Sequence, residues 1–386
     1  MKIKFKISYP LVLIGLWALI SLAFIDPVSR EVLSDKETSK RNYHYFSKKN
    51  ITDGPYIFMD SAQVKVKWIY KDRLKKRTVR NNNFKIIQRK FGFEFNPEWI
   101  EESSKEVSDY AQRYNNVNNL VAISDVHGQY DVMVKLLKQY NVIDDHYNWL
   151  FGDGHLVVLG DLLDRGPKVT ESLWLIFRLE QQAEKAGGKV HVLLGNHEVM
   201  VLNNDLRYIH EKYIRSAKLM NTTYNKLYED NTLIGRWLRK KPAMVTINEM
   251  LFVHAGVSIG FMTRGLTRTG TNKNFTERIV GGTWKTILED STLSFLMGEK
   301  GPIWFRGYFD YPPIMEYQVD HLLRYFNVKH IIVGHTSMPS IVSLFNNKIL
   351  GIDSSIKYGD YGEILLYSDK KYYRGSINGT RIVLQN

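Results

Sequence analysis

Asp125, His127, Asp161, Asp164, Asn196, His197, His254 and His335 are residue types that ligate metals or move protons, and each stands just past a short apolar run. LVAIS precedes Asp125-Val126-His127-Gly128, LVVLG precedes Asp161-Leu162-Leu163-Asp164-Arg165-Gly166, and HVLLG precedes Asn196-His197-Glu198. LFV leads into His254-Ala255-Gly256, and IIVG into His335-Thr336. Taken singly, each has an ordinary explanation. An Asp after a strand caps a helix, an Asn makes a turn, and a lone His is a hydrogen-bonded core residue. The same arrangement at five strand ends points elsewhere. In open α/β sheets the carboxyl ends of strands face the ligand crevice, so these residues should converge on one edge. Carboxylates with neutral imidazoles suit Mn, Fe or Zn, and a divalent cation compensates a buried Asp that is otherwise costly. The chemistry expected is that of a metal centre.

The elements that must position these residues alternate in type. Strands are expected at 120–124, 155–160 and 189–195, with helices at 130–140 and 169–186 between them. That is the βαβαβ rhythm of an α/β fold with a parallel sheet. Residues 203–241 read as a helical insertion rich in Tyr, Lys and Arg, and the C-terminal part reads mostly as strands of a second sheet. His155 and His191 fall at strand beginnings, the wrong end for this site, and Asp153 belongs to a turn. Upstream, Val64, Val66, Trp68 and Tyr70 alternate with Lys65, Lys67 and Ile69, which predicts a small basic β-rich module over 51–115. A helix is expected from Pro97 to Tyr114, and the polar run Asn115–Asn119 is the expected domain boundary.

The net charge of +13 is local. Eleven Lys/Arg and one acid, Asp72, lie between Lys65 and Lys90, and Lys2, Lys4 and Lys6 supply the remaining excess. The rest of the chain sums to neutral, so no nucleic-acid partner is expected for the main body. With no cysteine, disulfides, thiolate metal sites and a cysteine nucleophile are excluded. Three lysines ahead of the apolar run Tyr9–Ile25 make residues 1–25 a signal peptide or membrane anchor and 26–50 a linker. The catalytic domain is then expected outside the cytoplasm, periplasmic or held at the membrane by its N-terminal segment.

Five motifs in this order, DVHG, GDLLDRG, GNHE, VHAG and VGHT, resemble the calcineurin-like metallophosphoesterases across about Leu120–Tyr367. The GDLLDRG and GNHE forms are similar to the serine/threonine protein phosphatase branch and to symmetrical diadenosine tetraphosphate hydrolases. NNDLRYIHEKY, GRWLRKK and GPIWFRGY resemble the bacterial Shewanella-like phosphatases. Leu194 stands where the eukaryotic phosphatases carry arginine, and GIDSSIKYGDYGE replaces their C-terminal loop. The resemblance implies two packed mixed β-sheets flanked by helices over 116–386. It also implies two metal ions (Mn, Fe or Zn) that activate a water for in-line attack on phosphorus. Asp125 and His127 would hold one metal, Asn196, His254 and His335 the other, and Asp161 both. His197 would protonate the leaving oxygen, oriented by Asp164. Arg165, Arg306 and Asn196 would bind the phosphoryl oxygens, guanidinium being a bidentate and permanently charged donor.

The activity so implied is a phosphomonoesterase acting on serine/threonine phosphoproteins, with phosphotyrosine also in range. A nucleotide phosphatase or diadenosine tetraphosphate hydrolase is the alternative within the same chemistry, and an export signal argues against that cytosolic substrate. A non-catalytic binding protein on this scaffold would have lost a ligand or the acid, and all six ligands, His197 and Asp164 are present.

Overall fold

The computed structural model describes residues 50–60 and 63–384, and the alternating basic stretch opens it as a three-stranded antiparallel sheet. Its strands are β1 (Thr52–Met59), β2 (Val64–Tyr70) and β3 (Arg73–Val79). Ile57, Val66 and Trp68 turn inward and share one apolar core with Phe84, Ile87, Trp174 and Phe177. Packing is therefore continuous across residue 115, and Ile51–Asn386 forms one compact unit. The segment expected to be helical from Pro97 to Tyr114 is helical only over Glu98–Ser104. The hydroxyls of Ser103 and Ser104 both bond the Ile100 carbonyl, an alternative to the helical ladder that favours termination. The chain then extends into β4 (Arg113–Tyr114).

The predicted βαβαβ unit follows. β5 (Leu120–Ile123), β6 (His155–Val158) and β7 (Lys189–Val192) pair in parallel, linked by helices Tyr130–Gln139 and Val169–Lys185. β8 (Met244–Ile247), β9 (Met250–Val253), β10 (His330–Val333), β11 (Val342–Leu344) and β12 (Ile349–Gly351) follow the helical insertion. β13 (Glu363–Ser368), β14 (Lys371–Ser376) and β15 (Arg381–Val383) close the chain. Two six-stranded mixed sheets result, ordered β15-β14-β13-β5-β6-β7 and β11-β12-β10-β9-β8-β4. Leu120, Ala122, Val157, Phe252, Ile332 and Leu350 interdigitate between them. Helices cover the outer faces, so the central strands are apolar on both sides rather than alternating.

The C-terminal strands do not all form one sheet, as the sequence reading expected. β13 and β14 join the first sheet, β13 lying antiparallel to β5, because Leu365 meets Ala122 in the shared core. The second sheet is completed instead by β4, parallel to β8. Residues 259–297, flanked by β9 and β10, are helical rather than extended. No helix among the described residues is long and apolar enough to cross a membrane. The apolar run 9–25, read as a signal or anchor, lies outside the described residues.

Candidate metal centre

All five strand ends reach one edge of the sandwich. Asp125 and His127 follow β5, Asp161 and Asp164 follow β6, and Asn196 and His197 open the helix Asn196–Leu202 after β7. His254 follows β9 and His335 follows β10. Asp125, His127, Asp161, Asp164, Arg165 and His335 all have left-handed backbone, with φ from 47° to 67°. Such conformations cost about 1–3 kcal/mol each and persist where the surroundings over-determine them. Here the two loops brace each other: His127 N–H donates to Asp161 O at 2.7 Å, and Gly166 N–H to His127 O at 2.9 Å. Glycine is required at two close approaches. A Cβ on Gly195 would lie 2.2 Å from Asp161 Oδ1, and one on Gly334 1.9 Å from Ser124 Oγ.

Asp161 lies at the centre. Its Oδ2 is 3.5 Å from His127 Nε2, 3.3 Å from His254 Nε2 and 3.9 Å from His197 Nε2. Two groups of ligand atoms, each within 4.8 Å, share it: His127–Asp161–His197 and Asp161–His254–His335. Asp125 Oδ1 stands 4.0 Å from His127 Nε2, while its Oδ2 accepts the His335 N–H at 2.9 Å. His127 Nδ1 pairs with Leu163 O at 2.9 Å and His254 Nδ1 with Leu159 O at 2.6 Å. A carbonyl partner makes Nδ1 the donor and leaves the Nε2 lone pair facing inward. His254 Nε2 then meets Asn196 Oδ1 at 3.0 Å, a contact that needs a proton on Nε2 or a cation shared by the two atoms. His335 Nε2 is buried without a hydrogen-bond partner. Converging acceptors and an orphaned imidazole nitrogen fit a cation.

The titration behaviour of the protein alone agrees. Burial, followed by the charge of Asp353, pushes the Asp125 carboxyl well up. Burial also opposes the Asp161 charge, yet His254 and His197 hold that carboxyl well below the usual range. Burial opposes a charged His254, but Asp161 and Asp125 raise it to about 10. Without a metal, the proton on His254 is thus the counter-charge at the centre. Burial, with His197 beside one and Arg306 beside the other, keeps His127 and His335 neutral, the form a metal needs.

His197 presents Nδ1 to Asp164 Oδ2 at 2.6 Å, so one imidazole nitrogen is tied and the other faces Asp161. Arg165 bonds Tyr208 O through its backbone N–H at 2.9 Å and lies 5.3 Å from the Tyr208 ring. Arg306 donates from Nη1 to His335 O at 3.2 Å. Every sequence-predicted site residue is therefore at this edge. His155 and His191 are at the opposite edge, 3.0 Å apart, and both meet the Tyr114 ring edge-on.

Two carboxylates received no role from the sequence. Glu198, wholly buried, accepts backbone N–H groups from Asp161, Leu162, Leu163 and Gly195 at 2.7–3.1 Å. Asp353 accepts from Ser337 Oγ at 2.6 Å and Ser355 N at 2.9 Å, fixing the loop that follows His335. ILGID has the same signature, a buried strand ending at an acid beside glycine, and could have been read as a sixth instance. Aromatic walls were also missed: Tyr208 lies 5.2 Å from the His197 ring and Trp304 5.7 Å from the His335 ring.

A sandwich of two mixed sheets with this donor set at its edge defines a metallophosphoesterase. Residues 119–339 match the calcineurin-like phosphoesterase family, and the chain belongs to it. A solved structure described as the cold-active protein-tyrosine phosphatase of a psychrophile, Shewanella sp., is 41% identical. It covers 87% of this chain and 100% of its own, with a TM-score of 0.79. Shewanella-like protein phosphatase 1 of Plasmodium berghei (strain Anka) is 26% identical over 268 residues, covering 66% of this chain and 73% of its own. Shewanella-like protein phosphatase 2 of Arabidopsis thaliana is 25% identical over 297 residues, covering 64% and 73%. The chain is a metal-dependent phosphatase with a phosphorylated substrate.

Proposed function

We propose that this enzyme hydrolyses phosphoprotein monoesters at a two-metal centre, with phosphotyrosine ahead of phosphoserine and phosphothreonine. One observation carries the two-metal reading: Asp161 belongs to both ligand groups, its Oδ2 facing His127 on one side and His254 on the other, and a carboxylate oxygen, unlike an imidazole nitrogen, has more than one lone pair to share between cations. Asp125 and His127 would complete one site, and Asn196, His254 and His335 the other. Mn, Fe and Zn all suit these donors. Bound, such ions acidify a water and align it for in-line displacement at phosphorus. Arg165, 5.3 Å from the Tyr208 ring, and Arg306, which donates to His335 O, would clamp phosphoryl oxygens together with the Asn196 amide. His197, held by Asp164, would give a proton to the departing oxygen.

The phosphotyrosine preference rests on two supports. Tyr208 and Trp304 flank the centre with aromatic faces suited to an aryl ester, and the 41%-identical relative is described as a protein-tyrosine phosphatase. Phosphoserine and phosphothreonine are the second reading, supported by the GDLLDRG and GNHE motif forms. The test is kcat/KM of the Mn-loaded enzyme on matched phosphotyrosine, phosphoserine and phosphothreonine peptides beside diadenosine tetraphosphate. A clear preference for the dinucleotide would defeat the phosphoprotein reading, and a preference for phosphoserine would reverse the order proposed here. Placement of the catalytic domain outside the cytoplasm is part of the same proposal, supported by the lysines and apolar run of residues 2–25.

A further inference from the structure

The catalytic edge uses little of the chain's excess charge, most of which sits on and beyond the β2–β3 hairpin. β3 is the free edge of its sheet, and Arg73, Lys75, Lys76 and Arg77 on it are all exposed. None of the four pairs with a carboxylate among the described residues, whereas neighbouring Lys65 pairs with Asp60. The one acid in the stretch faces away: Asp72 lies 2.7 Å from Arg215 and accepts the Ile51 N–H at 3.0 Å. Its charge is neutralised within the fold, which leaves the hairpin tip cationic. Lys67 and Lys76 stand directly opposite each other across β2 and β3, an unfavourable like-charge pair that an external anion would relieve.

The tip is also apolar in a particular way. Tyr70 is 50% exposed and Leu74 39%; Leu74 lies between Arg73 and Lys75, and Tyr70 precedes Lys71 and faces Arg73 across the turn. Protecting a free edge from pairing needs only a charge or two and does not account for an exposed Tyr and Leu at the turn. Polybasic residues around an exposed aromatic and an aliphatic are what an anionic lipid interface selects. The path of the chain fits. Ile51 O accepts the Asp72 N–H at 3.1 Å, so the polypeptide enters the fold beside this tip, with 25 residues between Ile51 and the apolar run that ends at Ile25.

We propose that the β2–β3 hairpin docks the catalytic unit onto an anionic lipid surface, with Tyr70 and Leu74 entering the headgroup layer and Arg73, Lys75, Lys76 and Arg77 facing lipid phosphates. The docking is independent of hydrolysis. Each basic residue near such a surface strengthens binding about fivefold, so the four together contribute about two to three orders of magnitude.

The unit Ile51–Asn386 has its own continuous core, and a solved relative matches 87% of this chain with the whole of its own, so it folds by itself. This unit, lacking the apolar run, is floated with vesicles of phosphatidylcholine alone or mixed with phosphatidylglycerol. It should rise only with the anionic vesicles and be released by salt. The combined Arg73→Gln, Lys75→Gln, Lys76→Gln and Arg77→Gln variant should lose at least about a hundredfold in partitioning. Its hydrolysis of p-nitrophenyl phosphate in solution should be unchanged. Leu74→Ser should weaken binding without changing its salt dependence. A wild-type unit that stays down with phosphatidylglycerol at low salt overturns the proposal whatever the variants do. So does a quadruple variant that binds like wild type, or capture by duplex DNA in place of vesicles. Vesicle binding without phosphatase activity would count against the hydrolase reading and leave the docking intact.

Discussion

Glu198→Gln tests whether the centre depends on a carboxylate that touches no substrate. Glu198 Oε1 accepts from Leu162 and Leu163, and Oε2 from Asp161 and Gly195. It thereby fixes the loop carrying Asp161 to the turn that precedes Asn196. Glutamine matches the volume, but one oxygen becomes an NH2 group facing two N–H donors. Two charge-assisted hydrogen bonds are lost in a wholly buried position, at about 1.5–3 kcal/mol each, or about 3–6 kcal/mol in total. An unfolding entropy of about 2.1 cal/mol/K per residue converts that to a fall of about 4–9 °C in Tm for a unit of this size. The comparison is made on chelated protein, because differences in metal binding would otherwise shift Tm as well. Catalysis should suffer further, since displacing Asp161 by about 1 Å can cost about a hundredfold in rate. Differential scanning calorimetry, metal content and p-nitrophenyl phosphate turnover read the three effects. Wild-type Tm, metal content and kcat in this variant would refute the argument.

Asp161→Asn removes the ligand shared by both groups, and turnover should fall by at least about a hundredfold with a matching loss of bound metal by elemental analysis. Asp164→Asn should retain metal, leave KM near wild type and lower kcat. The deficit should be larger for phosphoserine than for phosphotyrosine, because a phenol leaves with a pKa near 10 and an alkanol with one nearer that of water, about 15.7. Chelation should lower Tm reversibly, by an amount equivalent to about 2.7 kcal/mol for each ion previously held at a hundred times its Kd. His210 caps the helix Glu211–Leu219 by accepting the Lys212 N–H on Nδ1, and burial followed by the Lys212 charge lowers it to about 4. The neutral form is favoured in the fold, so its contribution is complete above the unfolded value of about 6.5 and is lost as pH falls toward 4. The ceiling is about 3 kcal/mol. His210→Asn, which keeps a capping oxygen, should flatten that part of the Tm–pH profile.

Much of the site was legible because its signal is local and repeated. A buried strand, a glycine and a ligand-type residue recur after β5, β6, β7, β9 and β10, and the βαβ rhythm fixes all those ends on one side. Sheet membership was less legible. β13 carries the same apolar signature as β9 and β10, and which sheet it enters, with β14 beside it, depends on Leu365 meeting Ala122, a contact between residues far apart in sequence. Glu198 was opaque for another reason. Its partners are backbone N–H groups, which every residue but proline carries, so no residue type announces them. Tyr208 and Trp304 reach the centre from the insertion and from a turn, by packing that periodicity does not encode.

The buried charges explain why such an arrangement persists. Asp125, Asp161, Asp164, Glu198 and Asp353 are each no more than 2% exposed. The buried lysines serve other carboxylates: Lys212 pairs with Glu171 and Asp53, and Lys241 with Glu180. Glu198 is satisfied by four amides, Asp164 is bonded by His197 at Oδ2 while its Oδ1 has no hydrogen-bond partner, and Asp353 is bonded by Ser337 and Ser355. Asp125 accepts from Ser124 Oγ at 2.5 Å and the His335 N–H at 2.9 Å, and Asp161 Oδ1 from the His197 N–H at 3.1 Å. Even so, the first is pushed toward its neutral form and the second relies on a protonated His254. A fold selected for stability alone would replace such residues with apolar ones at little cost. Their retention beside His335 Nε2, which has no partner, is accounted for by cations that satisfy all three at once.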